Sequence, residues 1–164
     1  MIQRWLPKEE ELKIKSNFLK LVKENKIDFG IVKLMQSFNR IPGIATIWSC
    51  EGHTGNELSG YTPYVSFVYS LHRKPNVEKF CRLVRDELRF KKPVIQLSIK
   101  PKEEMSYFSG YDKVLKGECD KEGNVDNYKE CVACHVHCYS KNNTRLFWSV
   151  VKKHLPILNK EIEL

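Results

Sequence analysis

Ser49, Cys50, Glu51, Gly52 and His53 place four chemically capable side chains within five positions, directly after the apolar run Ile44-Ala-Thr-Ile-Trp48. A strand that stops in a glycine-containing turn presents side chains at the edge of a sheet, where ligands can reach them. Each residue type has a distinct capability. Gly52 lets the chain turn sharply and aim its N–H groups at a ligand. His53 can serve as acid, base, metal ligand or phosphate partner. Glu51 can orient a histidine or accept a proton. Cys50 becomes a nucleophile only if its thiolate is stabilised; otherwise it is a buried small apolar group.

A second cluster is Cys131-Val-Ala-Cys134-His135-Val-His137-Cys138. Strand alternation puts Cys131, Ala133, His135, His137 and Tyr139 on one face, and Val132, Cys134, Val136 and Cys138 on the other. The second set is small and apolar, as a core face should be. The first sets two imidazoles on one surface, a pair suited to a metal or to phosphate oxygens. A structural zinc on Cys131 and Cys134 with Cys119 or Cys138 would need a knuckle turn, because Cys131 and Cys134 point to opposite faces of an extended strand. A metal shared by His53, His135 and His137 is the other arrangement, and a metal-free pocket lined by these histidines the third. The Cys-x-x-Cys-His string also matches a c-type haem attachment site, but that chemistry belongs to exported proteins and a turn-helix context.

Arg73, beside His72 and Lys74, is a candidate phosphate partner, against a solvated strand-to-helix loop as the alternative. Trp48 is either core or a surface on which a base stacks. The formal charge of +8 and pI near 9.2 favour an anionic small molecule, a nucleotide or nucleic acid as partner, although the charge is spread along helical segments. No helix-turn-helix, zinc-finger or RNP pattern is present. No apolar run approaches the ~20 residues of a membrane span, and the N-terminus has no signal-type apolar stretch, so no membrane contact and a cytoplasmic location are expected. The six cysteines are then expected as thiols.

The elements that must position these residues follow from periodicity. Residues 7–26 read as an amphipathic helix, with Leu12, Phe18, Leu19 and Val22 at helical spacing. Asp28 reads as the cap of a second helix that carries Ile31, Leu34, Met35 and Phe38 and stops before Pro42-Gly43. Residues 45–50 and 64–69 read as strands. A helix capped by Asn76 extends to about Phe90, and a strand follows at 94–99. Residues 101–129 are irregular, a hairpin or a lid. A strand at 129–140 and a helix starting at Asn142 or Asn143 and ending near Pro156 close the chain. The expected fold is α+β: one domain with a mixed or mainly antiparallel sheet of about four or more strands and helices packed on it. The helix between the second and third strands is long enough for a βαβ crossover.

The stretch 41–53, Ile-Pro-Gly-Ile-Ala-Thr-Ile-Trp-Ser-Cys-Glu-Gly-His, followed by Pro63-Tyr-Val-Ser-Phe67, resembles small uncharacterised phage and plasmid proteins with a Ser-Cys-x-Gly-His segment. More distantly it is similar to the tRNA wybutosine-synthesising methyltransferase family, through Thr46, Ser49, Cys50 and Gly52 and a following strand, helix and strand. Glu51 and His53 stand where that family has Ser and Arg. The resemblance implies a pocket for a nucleotide-like ligand at Cys50 to His53, and an S-adenosylmethionine-dependent activity on tRNA as one alternative. The expected function is binding of a phosphorylated nucleotide-type ligand in a basic pocket lined by Trp48, Ser49, Cys50, Glu51, Gly52, His53, Arg73, His135 and His137, in effect sequestering a signalling nucleotide. The enzymatic alternatives are that methyltransferase or a metal- or histidine-dependent phosphodiester hydrolase.

Overall fold

The computed structural model describes residues 6–52, 62–91, 97–101, 116–117, 128–129, 133–138 and 143–161. Helix α1 (Lys8–Lys23) ends where Asn25 takes a left-handed φ of 54°. A 3₁₀ turn, Phe29–Ile31, leads into α2 (Val32–Asn39). Strands β1 (Ile44–Cys50) and β2 (Tyr64–Tyr69) follow, then the long α3 (Lys74–Lys91) and β3 (Leu97–Pro101). The short β4 (Lys116–Gly117) and β5 (Tyr128–Lys129) pair within the segment read as irregular. β6 (Ala133–Cys138) and α4 (Thr144–His154) come last, and α4 passes at Pro156 into the 3₁₀ turn Leu155–Asn159.

The architecture is α+β, with helices packed on an antiparallel sheet. Among the described residues the strands lie in the order β1-β2-β6-β3, each pair antiparallel. β2 and β3 both run antiparallel to β6, so they are parallel to each other. α3 is therefore a crossover between parallel strands, with β6 inserted between them. β1 carries a bulge between Thr46 and Trp48, which increases its local twist.

One sheet face supplies the core. Val65 sits opposite Val136, Phe67 opposite Cys134 and Tyr69 opposite Ile44, and all six join one buried cluster with residues of the four helices. Phe38 of α2, Phe67 of β2 and Phe80 of α3 meet edge-on or tilted, with centroids 5.4–6.3 Å apart. Ser66 and Val68, which alternate with that row, are also buried. β2 is thus covered on both faces, which is why it reads as a nearly continuous apolar run.

Polar clamps fix the corner before β1. The Gly43 N–H donates to Glu11 Oε1 (2.9 Å), and Lys15 Nζ donates to the Ile41 carbonyl (3.0 Å). Gly43 has φ +79°, and a Cβ there would lie 2.2 Å from Ser70 Oγ, so only glycine fits. Asn39 bridges α2 to β1 by accepting from the Thr46 N–H (2.8 Å) and donating to its hydroxyl (2.7 Å). Two expected caps take other roles. Asp28 makes no capping bond to its own 3₁₀ turn and accepts from the Glu51 N–H, 2.8 Å away at the end of β1. Asn76 lies inside α3, buried, and donates to the Ile157 and Lys160 carbonyls at 2.8 and 3.0 Å. In both cases the side chain serves main-chain groups at the end of another element: the Glu51 N–H just past β1, and carbonyls of the C-terminal turn.

Candidate functional site

The end of β1 is pinned from two sides. The Glu51 N–H donates to Asp28, and the Glu51 carbonyl accepts from Trp148 Nε1 on α4 (2.8 Å). The next residue, Gly52, has φ +94°, and a Cβ there would meet Pro63 Cδ at 3.1 Å and Thr144 Oγ1 at 3.2 Å. The turn expected from the sequence is therefore present through Gly52. It brings the end of the strand against the first turn of α4. His53 lies outside the described residues.

A cleft opens beside this junction, between α2 and α4, with a volume of about 1000 Å³. That is at the upper end of the range for small-ligand pockets, roughly 300–1000 Å³. Lys33 and Arg40 of the α2 segment line one side, and Arg145 and Lys152 of α4 the other. Trp148, Ile31, Leu34 and Leu155 give it apolar surface, and Glu51 is its carboxylate. Each helix places its two cations seven residues apart, which is two helical turns and one face, separated by about 10 Å along the axis. Four cations against one carboxylate make a positive cavity with an aromatic wall.

Glu51 enters this cleft over Gly30. A Cβ at Gly30 would lie 1.9 Å from Glu51 Oε1, so the bare glycine leaves the space the carboxylate fills. The Trp148 ring is held by its bond to Glu51 and by an edge-on contact with Phe147, centroids 4.8 Å apart.

The other expected site residues are dispersed. Trp48 and Ser49 line a separate pocket of about 190 Å³ between α1 and β1, below the usual ligand size. Cys50 is buried, and its thiol is pushed above its ordinary value of 9.0, chiefly by burial. A Gly52 backbone hydrogen bond opposes that rise, and Asp28 and Glu51 add to it. A thiol in that state is an unactivated nucleophile at neutral pH. Arg73 spends its guanidinium on main-chain carbonyls: Nε donates to Pro42 (2.9 Å), and Nη1 to Leu158 and Lys160 (3.2 and 3.3 Å). It ties the corner before β1 to the C-terminal turn and does not line the cleft.

The backbone register sets His135 opposite Ser66 and Lys100, and His137 opposite Tyr64 and Ser98. These positions alternate with the buried Cys134, Val136 and Cys138. Cys119 and Cys131 lie outside the described residues, as does His53. Cys134, one of the expected zinc ligands, instead faces Cys81 of α3, with the sulfurs 3.3 Å apart. Among the described residues no group of three or more His, Cys, Asp or Glu side chains could hold a metal ion. Among those residues, also, no helix is long and apolar enough to cross a membrane.

The residues that sequence reasoning passed over are Lys33, Arg40, Arg145, Lys152 and Trp148. The seven-residue spacing in each cation pair was the available signal. It pointed nowhere until the two helices were known to face one another. No family model, curated protein or solved structure matches this chain.

Proposed function

We propose that this protein binds a phosphorylated, nucleotide-type ligand in the cleft between α2 and α4, and holds it without turnover. The observation that carries this reading is the placement of Lys33, Arg40, Arg145 and Lys152 around an aromatic-walled cavity of nucleotide size. Guanidinium and ammonium groups complement phosphate oxygens, Arg by its two-pronged geometry and Lys as a point charge. An indole wall offers a face for a base. The net charge of +8 supports an anionic partner in general, and the cleft concentrates that charge at one place. Binding is favoured over catalysis because Cys50 is held as an unactivated thiol and, among the described residues, no ion pair or side-chain hydrogen bond joins Glu51 to an acid or base. The phage-type resemblance and a cytoplasmic setting fit the sequestration of a signalling nucleotide.

The test is to incubate purified protein with mononucleotides, cyclic dinucleotides, S-adenosylmethionine and a single-stranded oligonucleotide. Bound and released material is then analysed by mass spectrometry. Intact nucleotide, retained by the protein and released on denaturation, is the expected result. Chemically converted ligand would replace binding with catalysis and identify the reaction. Retention of the oligonucleotide alone, with a steep salt dependence, would make the cleft part of a nucleic-acid surface. Retention of nothing would overturn the proposal.

A further inference from the structure

The cleft is not uniformly positive. Its Glu51–Gly52 end lies against Gly30, before α2, and against Thr144, the first residue of α4. Arg40 lies ten residues past Gly30, and Lys152 eight residues past Thr144, each more than two helical turns further along. One end therefore carries a carboxylate, and the other carries cations alone, roughly 12 Å further along α4. A phosphate group belongs at the second end. At the first, the carboxylate would repel it.

The Glu51 carboxylate is also well placed to recognise something. Its backbone is fixed on both sides, by Asp28 and by Trp148. Gly30 leaves the space that its oxygens occupy. None of the ion pairs among the described residues engages it. A carboxylate only accepts hydrogen bonds, and two adjacent N–H donors in one plane satisfy it best. Among the common bases guanine alone offers that edge, N1–H beside the N2 amino group. Adenine and cytosine set their amino group next to a ring-nitrogen acceptor, and uracil and thymine flank N3–H with two carbonyls. All four would bring an acceptor against the carboxylate.

The geometry points to a guanine nucleotide as the ligand, with the base edge on Glu51, the ring against Trp148 and the phosphates at Arg40 and Lys152. This assignment rests on the cleft being the nucleotide site. A site built to pair with particular N–H groups discriminates against analogues that lack them, because its own polar group is then left unpaired.

The experiment is calorimetric titration of the full chain with guanosine, inosine and adenosine 5′-diphosphates. Guanosine diphosphate should bind at least about tenfold more tightly than adenosine diphosphate, a difference of about 1.4 kcal/mol. Inosine diphosphate, which keeps N1–H and lacks the amino group, should fall between them. Glu51→Gln should remove the preference for guanine, and Gly30→Ala should weaken it by displacing an unaltered carboxylate. The second variant gives an answer even if the first folds poorly. Equal affinity for all three nucleotides would overturn the guanine assignment while leaving the cleft a nucleotide site. Binding of none would overturn both.

Discussion

Trp148 on α4 donates its indole N–H to the carbonyl of Glu51 at the end of β1, across 97 residues of sequence and 2.8 Å of space. The same residue's N–H is held by Asp28, just before α2. One peptide segment therefore fixes where both walls of the cleft stand relative to the sheet. Trp148→Phe keeps the ring and removes the donor. Leaving a half-buried carbonyl unpaired should cost about 1–3 kcal/mol, visible as a lower midpoint in urea with an unchanged slope. A variant as stable as the parent would show that this bond does not hold the site.

Charge in the cleft and charge elsewhere should behave differently. Arg40→Glu and Lys152→Glu are each expected to weaken nucleotide binding roughly tenfold or more, with little change in stability, since both side chains are exposed. Arg73→Ala should show the reverse. Losing three main-chain contacts should lower stability by about 1–3 kcal/mol and leave affinity nearly unchanged. Parallel binding and denaturation curves on the three variants separate the roles. Loss of affinity in Arg73→Ala alone would restore Arg73 as a ligand contact.

Acid should loosen the α3–α4 contact. Glu87 of α3 accepts hydrogen bonds from Lys91, Lys153 and His154, and its carboxyl is held down from 4.5 to about 2, first by Lys91 and then by Lys153. A folded-state value below the unfolded one stabilises the fold above pH 4.5, and that contribution fades as the pH falls toward 2. Glu87→Gln should therefore cost about 1 kcal/mol at pH 7, roughly half of that at pH 3 and little at pH 2. A difference between the proteins that does not shrink with acid would contradict this.

The Cys81 and Cys134 sulfurs, 3.3 Å apart, are placed to be cross-linked by oxidised glutathione. The partly exposed Cys81 would form the mixed disulfide and release one glutathione thiol. Cys134 would then displace the second and complete a bond between α3 and β6. The Cys134 thiol is raised well above its ordinary value, first by its hydrogen bond with Cys81 and then by burial. The reaction should accordingly be slow at pH 7 and speed up as alkali generates thiolate. Peptide mapping should find the 81–134 disulfide, and Cys81→Ser should not form it. A mixed disulfide that persists at Cys81 would show that Cys134 does not reach it.

Gly30→Ala and Gly52→Ala form a contrasting pair. At Gly30 the backbone is ordinary and the obstruction is the end of the flexible Glu51 side chain, so the fold should tolerate alanine. Gly52 is left-handed, with Pro63 and Thr144 close by, so alanine there should cost about 1–2 kcal/mol. Thermal unfolding of the two variants gives the comparison directly.

Local periodicity and turn chemistry determined the elements. β2 was legible to the residue because alternating and continuous apolar signals coincide over Tyr64–Tyr69. The apolar stripe of α3, Val77, Phe80, Val84 and Leu88, is buried as its spacing required. The stop of α4 near Pro156 and the sharp turn at Gly52 follow equally from single residues, since proline cannot continue a helix and glycine alone takes a left-handed φ freely. Tertiary structure decided everything that depends on which elements face each other. Sequence pattern gives Asp28 and Asn76 local capping roles and Arg73 a phosphate-binding one, and each instead satisfies a backbone group 23 to 87 residues away. The cleft arises in the same way. The charges of Lys33 and Arg40 become a site only when α4 sets Arg145, Trp148 and Lys152 opposite them. Helical spacing fixes which face a residue occupies, because it is a property of one segment's backbone. What that face meets is set by the packing of the whole chain, and a one-dimensional pattern does not carry it.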